Sequence, residues 1–195
     1  MRSSSYRGFS LSPVLIIIII NFLVYIATIA ATFLDYPLAL LLGLQPASFL
    51  QRPWTIVTNL FVHGSIWHML FNMLTLYFFG SYLTRLLGTR ILLIVYFLGG
   101  ILGNILFMLL ASPFSVAIGA SGAIFALGGV LTVLTPKLRV IVFPIPVPIP
   151  LWAAIIGGFL IMSFLPNIAW QGHLGGLVLG LIAGLLLRRR PRPLY

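Results

Sequence analysis

Apolar residues recur along this chain in long uncharged runs, and the short breaks between the runs carry most of the charge. A helix that crosses a bilayer needs ~20 predominantly apolar residues. Residues 13–34 form the first such run. Arg2 and Arg7 precede it, as in a signal peptide, but the apolar stretch is too long for a signal's hydrophobic region and reads as a first crossing helix. Residues 66–84 and 91–111 predict a second and a third, Ser112-Pro113 breaks the chain, and 119–135 predicts a fourth. From 140 to 187 no residue is charged, which is too long for one helix; Pro166-Asn167 divides it into a fifth crossing, 147–165, and a sixth, 172–187. Pro144, Pro146, Pro148 and Pro150 cannot donate helix hydrogen bonds, so an extended lead-in to the fifth crossing is expected.

The pattern predicts an all-α membrane protein, a bundle of six transmembrane helices. Residues 1–12 form an N-terminal segment, 13–187 a single membrane domain and 188–195 a basic tail. Residues 35–65 make a long first loop whose Phe49, Trp54 and Phe61 suit the headgroup layer. No soluble domain and no repeat stands out.

Six crossings put both ends of the chain on one side. Arg2, Arg7, Arg85, Arg90, Lys137, Arg139, Arg188, Arg189, Arg190 and Arg192 fall on that side, and only Arg52 on the other. The excess of Lys and Arg on cytoplasmic loops then predicts cytoplasmic termini in a multi-pass protein. The expected setting is the plasma membrane of a prokaryote.

Composition agrees with the pattern. The chain is 61% hydrophobic and 6% charged over 195 residues, more apolar surface than a soluble domain can hide. A formal net charge of +10 could point to nucleic acid, but the basic residues are scattered between apolar runs and at the tail, so no nucleic-acid partner is expected. Without Cys there are no disulfides or thiolate metal sites, and without Glu there is no His-Glu-x-x-His helix. Asp35 is the only acid.

Polar groups inside crossings are expensive and mark function. The second, fourth and sixth crossings run in the same direction, and His68, Asn72, Ser121 and His173 all lie near their starts. The topology therefore predicts that these side chains share a depth, below one surface. His68 and Asn72 are four apart and share a helix face. Singly, each has a bland explanation: a serine bonds its own helix, a histidine caps a helix or sits among headgroups, an asparagine joins two helices. Together, those explanations require a coincidence of depth. His63 precedes the second crossing and reads as a structural hydrogen-bonding residue. Gly119-Ala120-Ser121-Gly122 lets a substrate backbone approach the hydroxyl, and a helix N-terminus there offers free N–H groups to an oxyanion. Gly172, Gly176, Gly180 and Gly184 make one smooth face on the sixth crossing, matched by Gly122 and Ala126 on the fourth.

At these residues the chain resembles the rhomboid intramembrane proteases. His63-Gly-Ser-Ile-Trp-His68-Met-Leu-Phe-Asn72 is similar to the family's second-span motif, Gly119-Ala-Ser121-Gly122 to its nucleophile motif, and Gly172-His173-Leu-Gly-Gly176 to its base motif. Gly99-Gly100-Ile-Leu-Gly103-Asn104 is a weaker match. The likeness runs from about Pro53 to the end of the sixth crossing. Trp54-Thr55 stands where the family often has Trp-Arg, and Thr84 stands near a common Glu.

The resemblance implies a serine endopeptidase that cleaves transmembrane segments near the outer face through an acyl-enzyme. Ser121 would be the nucleophile and His173 its base. The Ser121 backbone N–H, His68 and Asn72 would hold the oxyanion. Gly119, Gly122 and Gly176 would support the site, with Phe125 placed to stack on His173. Substrates would be single-span membrane proteins, and no cofactor or metal is implied. Three other readings compete. A transporter would carry polar residues across the whole membrane. A three-His metal enzyme would use His63, His68 and His173. An inactive relative would only bind membrane clients.

Overall fold

The computed structural model describes residues 11–142, 145–166 and 168–188. Arg2, Arg7, Pro144, Asn167 and the arginines of the tail from 189 onward lie outside the described residues. In chain order the helices are α1 (Pro13–Thr32), α2 (Leu38–Leu42), α3 (Thr55–Thr58), α4 (Ile66–Leu87), α5 (Thr89–Leu110), α6 (Ser121–Leu134), α7 (Leu151–Ser163) and α8 (Trp170–Arg188). Strands β1 (Arg139–Val140) and β2 (Ile149–Pro150) pair antiparallel between α6 and α7.

By length and composition α1, α5 and α8 can each cross a membrane. The other long helices differ from the expected crossings for local reasons. Helix α4 is long, but His68, Asn72, Thr75, Ser81, Thr84 and Arg85 dilute its apolar content. Helix α6 starts at Ser121 rather than 119, because Gly119 has φ 115°, outside helical space. Helix α7 starts at Leu151 rather than 147: Ile149 and Pro150 pair with β1 as β2, and Pro150 caps the helix. At 1.5 Å per residue α6 rises only ~21 Å, against a hydrocarbon core of ~30 Å.

Protein surrounds this short helix. Every residue of α6 from Ala123 to Leu131 is buried. Helix α8 packs along it through glycine. A Cβ on Gly176 would collide with the Gly122 carbonyl, and one on Gly180 with that of Ala126. On the other side of α8 a Cβ on Gly175 would lie 2.7 Å from the Gly103 Cα of α5. Backbones this close gain dispersion contacts where lipid offers no hydrophobic drive to associate. Helices α4 and α5 run antiparallel about Gly88, and α1 packs on α4, with Val14 against the bare Cα of Gly80.

The segment 35–65 is built, not loose. It holds α2, α3 and two 3₁₀ turns, at Pro46–Ser48 and Asn59–Phe61. Arg52 ties it together, donating to the Leu40 carbonyl (2.8 Å), to Ser48 Oγ and to Gln45 Oε1 (3.5 Å). Phe49 and Phe61 are half-buried against the core clusters, and only Trp54 of the three aromatics is exposed, its indole N–H on the Leu41 carbonyl.

Candidate active site

The segment before α6 is held in place by the first loop. Leu44 and Ala117 exchange backbone hydrogen bonds (3.0 and 2.8 Å), Ala47 N–H reaches the Pro113 carbonyl (2.9 Å), and Gly119 N–H reaches the Asn59 carbonyl (2.9 Å). At Gly119 the chain turns through a left-handed conformation, and Ser121 becomes the first helical residue. The amides of a helix's first turn have no carbonyl partners within the helix, so Ser121 sits where N–H groups are available.

Helix α8 brings the second group. His173 is one turn into α8, on the same glycine-lined face that lies against α6. Its Nε2 is 2.7 Å from Ser121 Oγ. The imidazole is buried, and its Nδ1 has no hydrogen-bond partner among the described residues. The ring of Phe125, one turn beyond Ser121, lies 4.8 Å from that of His173 at an interplanar angle of 32°. Phe125 in turn meets Phe159 of α7 edge-on.

His68 stands over the turn. A Cβ on Gly119 would lie 2.8 Å from His68 Nε2, so only glycine leaves room for this ring. Asn72 is buried one turn further along α4 and donates through Nδ2 to the His68 carbonyl (2.8 Å). That bond uses one of its two N–H groups. Ser65 caps α4, accepting from His68 N–H (3.1 Å). His63 is buried, its ring 4.9 Å from that of His68 and edge-on to it. Burial, and then the charge of His68, push its pKa down to about 4, so it stays neutral at physiological pH.

Two asparagines complete the surroundings. Asn59 and Asn104 exchange side-chain amide hydrogen bonds (2.9 and 2.8 Å), and Asn104 also donates to the Ile56 carbonyl (2.7 Å). Together with Gly119, Ser121, Gly172 and His173 they line a cavity of about 20 Å³, the size of one water molecule. Asn104 falls in the weak third-span motif; Asn59 has no place in the sequence reading. Its signal was a buried amide in an otherwise apolar stretch, legible only once its partner 45 residues away is known. Among the described residues no three His, Cys, Asp or Glu side chains stand together as a metal site, so the three-His arrangement is not formed.

Residues 50–190 match the sequence profile of the Rhomboid domain. The chain is 29% identical over 165 residues to Rhomboid protein 1, mitochondrial, of Saccharomyces cerevisiae, covering 72% of this chain and 45% of that protein. It is 32% identical over 139 residues to RHOMBOID-like protein 4 of Arabidopsis thaliana (71% and 35%) and 35% identical over 136 residues to Rhomboid protease GluP of Bacillus subtilis (69% and 26%). The chain thus spans less than half the length of each of these relatives.

Proposed function

The chain belongs to the rhomboid family, and on that footing we propose that it is an intramembrane serine endopeptidase working through a Ser121–His173 dyad. The observation that carries the reading is the 2.7 Å approach of Ser121 Oγ to His173 Nε2 across two helices. His173 accepts the hydroxyl proton at Nε2 as Ser121 attacks the scissile carbonyl, then returns it to the leaving amine. Water releases the acyl-enzyme.

The oxyanion is held by the Ser121 N–H, by the His68 ring above Gly119 and by the remaining N–H of Asn72. Asp35, the only acid, sits past the end of α1, so the reading has no third member. Phe125 holds the imidazole in plane by stacking. The cavity beside Asn59 and Asn104 has room for one water next to both reacting groups.

In the same proposal the six longest described helices, α1, α4, α5, α6, α7 and α8, all cross. Arg85, Arg90, Lys137, Arg139 and Arg188 then lie at one face and Arg52 at the other, which supports cytoplasmic termini. Cleavage falls near the opposite, outer face. Substrates are single-span proteins whose helix unwinds there, because a helix in lipid hides its carbonyls. The three relatives are a mitochondrial, a plant and a bacterial protein, so the plasma membrane expected from the sequence draws no support from them.

Labelling of the purified protein with a fluorophosphonate tests the reading. Wild type is expected to label, and Ser121→Ala and His173→Ala are not; labelling that survives Ser121→Ala would remove the nucleophile assignment.

A further inference from the structure

At the end of the bundle opposite Asp35, α1 and α4 leave a groove of about 480 Å³. Helix α1 approaches α4 where Gly80 has no side chain, and the groove opens beside that contact. One part of its lining is apolar: Val14, Tyr77 and Phe78, the last two exposed on the outside of the bundle. The other part is polar: Ser12, Ser81 and Arg85. The two parts are ordered along α4, which crosses the membrane in the topology proposed above. Arg85 lies in the last turn of α4, while Tyr77 and Phe78 lie eight and seven residues earlier, ~11 Å back along the helix axis.

Arg85 is exposed, and its charge has no acidic side chain within reach. The only acid of the chain, Asp35, is beyond the far end of the 20-residue α1, ~30 Å from Ser12. Arg85 Nε donates to the Ser81 carbonyl (3.4 Å), and the guanidinium lies 5.9 Å from the Tyr82 ring. These contacts hold it along α4 and use one of its five N–H donors. A guanidinium fork at the rim of a groove, with hydroxyls beside it and an aromatic wall running into the hydrocarbon, matches a phosphate with acyl chains attached.

We propose that this groove binds one anionic phospholipid. The phosphate sits on Arg85 with the Ser81 and Ser12 hydroxyls, and the acyl chains run over Phe78, Tyr77 and Val14 toward the bilayer centre. The site is distant from Ser121 and does not depend on the proposed protease activity.

Native mass spectrometry of the full chain in detergent tests it, with phosphatidylglycerol, phosphatidylcholine of the same acyl chains, and glycerol 3-phosphate as probes. Phosphatidylglycerol is expected to be retained as a single adduct, tighter than phosphatidylcholine and far tighter than glycerol 3-phosphate. Arg85→Gln is expected to weaken it about fivefold, as for one basic contact at a membrane surface. Arg90→Gln removes the same charge beyond Gly88 and is expected to leave it unchanged. Phe78→Ala keeps the charge, strips the acyl wall and is expected to weaken phosphatidylglycerol too, which gives a second handle if Arg85→Gln folds poorly. Equal retention of phosphatidylcholine, equal binding of glycerol 3-phosphate, an equal loss in Arg90→Gln, or no loss in either groove variant overturns the proposal.

Discussion

Gly176 of α8 lies so close to the carbonyl of Gly122 on α6 that no side chain fits between them. Gly122 follows Ser121, and Gly176 is one turn past His173. The contact thus sets how far Ser121 Oγ stands from His173 Nε2. Gly176→Ala has to push the two helices apart, at ~1–3 kcal/mol for an overpacked site. The expected result is a lower unfolding temperature and a loss of cleavage larger than that shift explains, read by thermal unfolding beside the rate on a single-span substrate.

Gly119 is constrained twice, by its φ of 115° and by His68 Nε2 over its Cα. Gly119→Ala is expected to tilt His68 away and abolish cleavage. Fluorophosphonate labelling should fall with it, because the reagent uses the same pocket. Full activity in this variant would contradict the crowding of His68 against the turn.

Asn72 keeps one N–H after bonding the His68 carbonyl. If it donates to the oxyanion, Asn72→Ala should lower the turnover rate ~10²–10³-fold while the protein remains folded. Steady-state kinetics at saturating substrate checks this. A change confined to the Michaelis constant would mean that Asn72 only shapes substrate binding.

Asn104→Leu leaves the Asn59 amide and the Ile56 carbonyl without their partner. Each buried polar group so stranded costs ~1–3 kcal/mol. A clear drop in unfolding temperature is expected, and Asn59→Leu should reproduce it. The double variant should cost less than the sum, since it removes both partners of one network.

Arg52→Ala removes the side chain that gathers the Leu40 carbonyl, Ser48 and Gln45. Because Leu44 and Asn59 of this loop hold Ala117 and Gly119, loosening it should reach Ser121. Faster proteolytic nicking within residues 35–65 together with reduced cleavage is the expected outcome. Thr55 follows Trp54 here, and Arg52 fastens the loop from three residues earlier.

Much of this molecule was legible from one dimension. Hydrophobic run length depends only on neighbours in the chain, so the long helices were found with ends mostly within a few residues. The direction of alternate helices put His68, Asn72, Ser121 and His173 at one depth, and glycine spacing marked the faces of α6 and α8. What failed was decided elsewhere in the chain. The start of α7 moved to Leu151 because β1 pairs with Ile149 and Pro150 as β2.

The sequence alone determined a membrane-embedded helical chain and the residue types gathered near one depth, because apolar periodicity and the absence of other acids are local facts. Only the tertiary structure decided that Ser121 and His173 meet at 2.7 Å, that Asn59 finds Asn104, and that the first loop grips the turn before α6. Those are contacts between residues 45, 52 or more positions apart, and their distances follow from how closely two backbones pack, which no local pattern encodes.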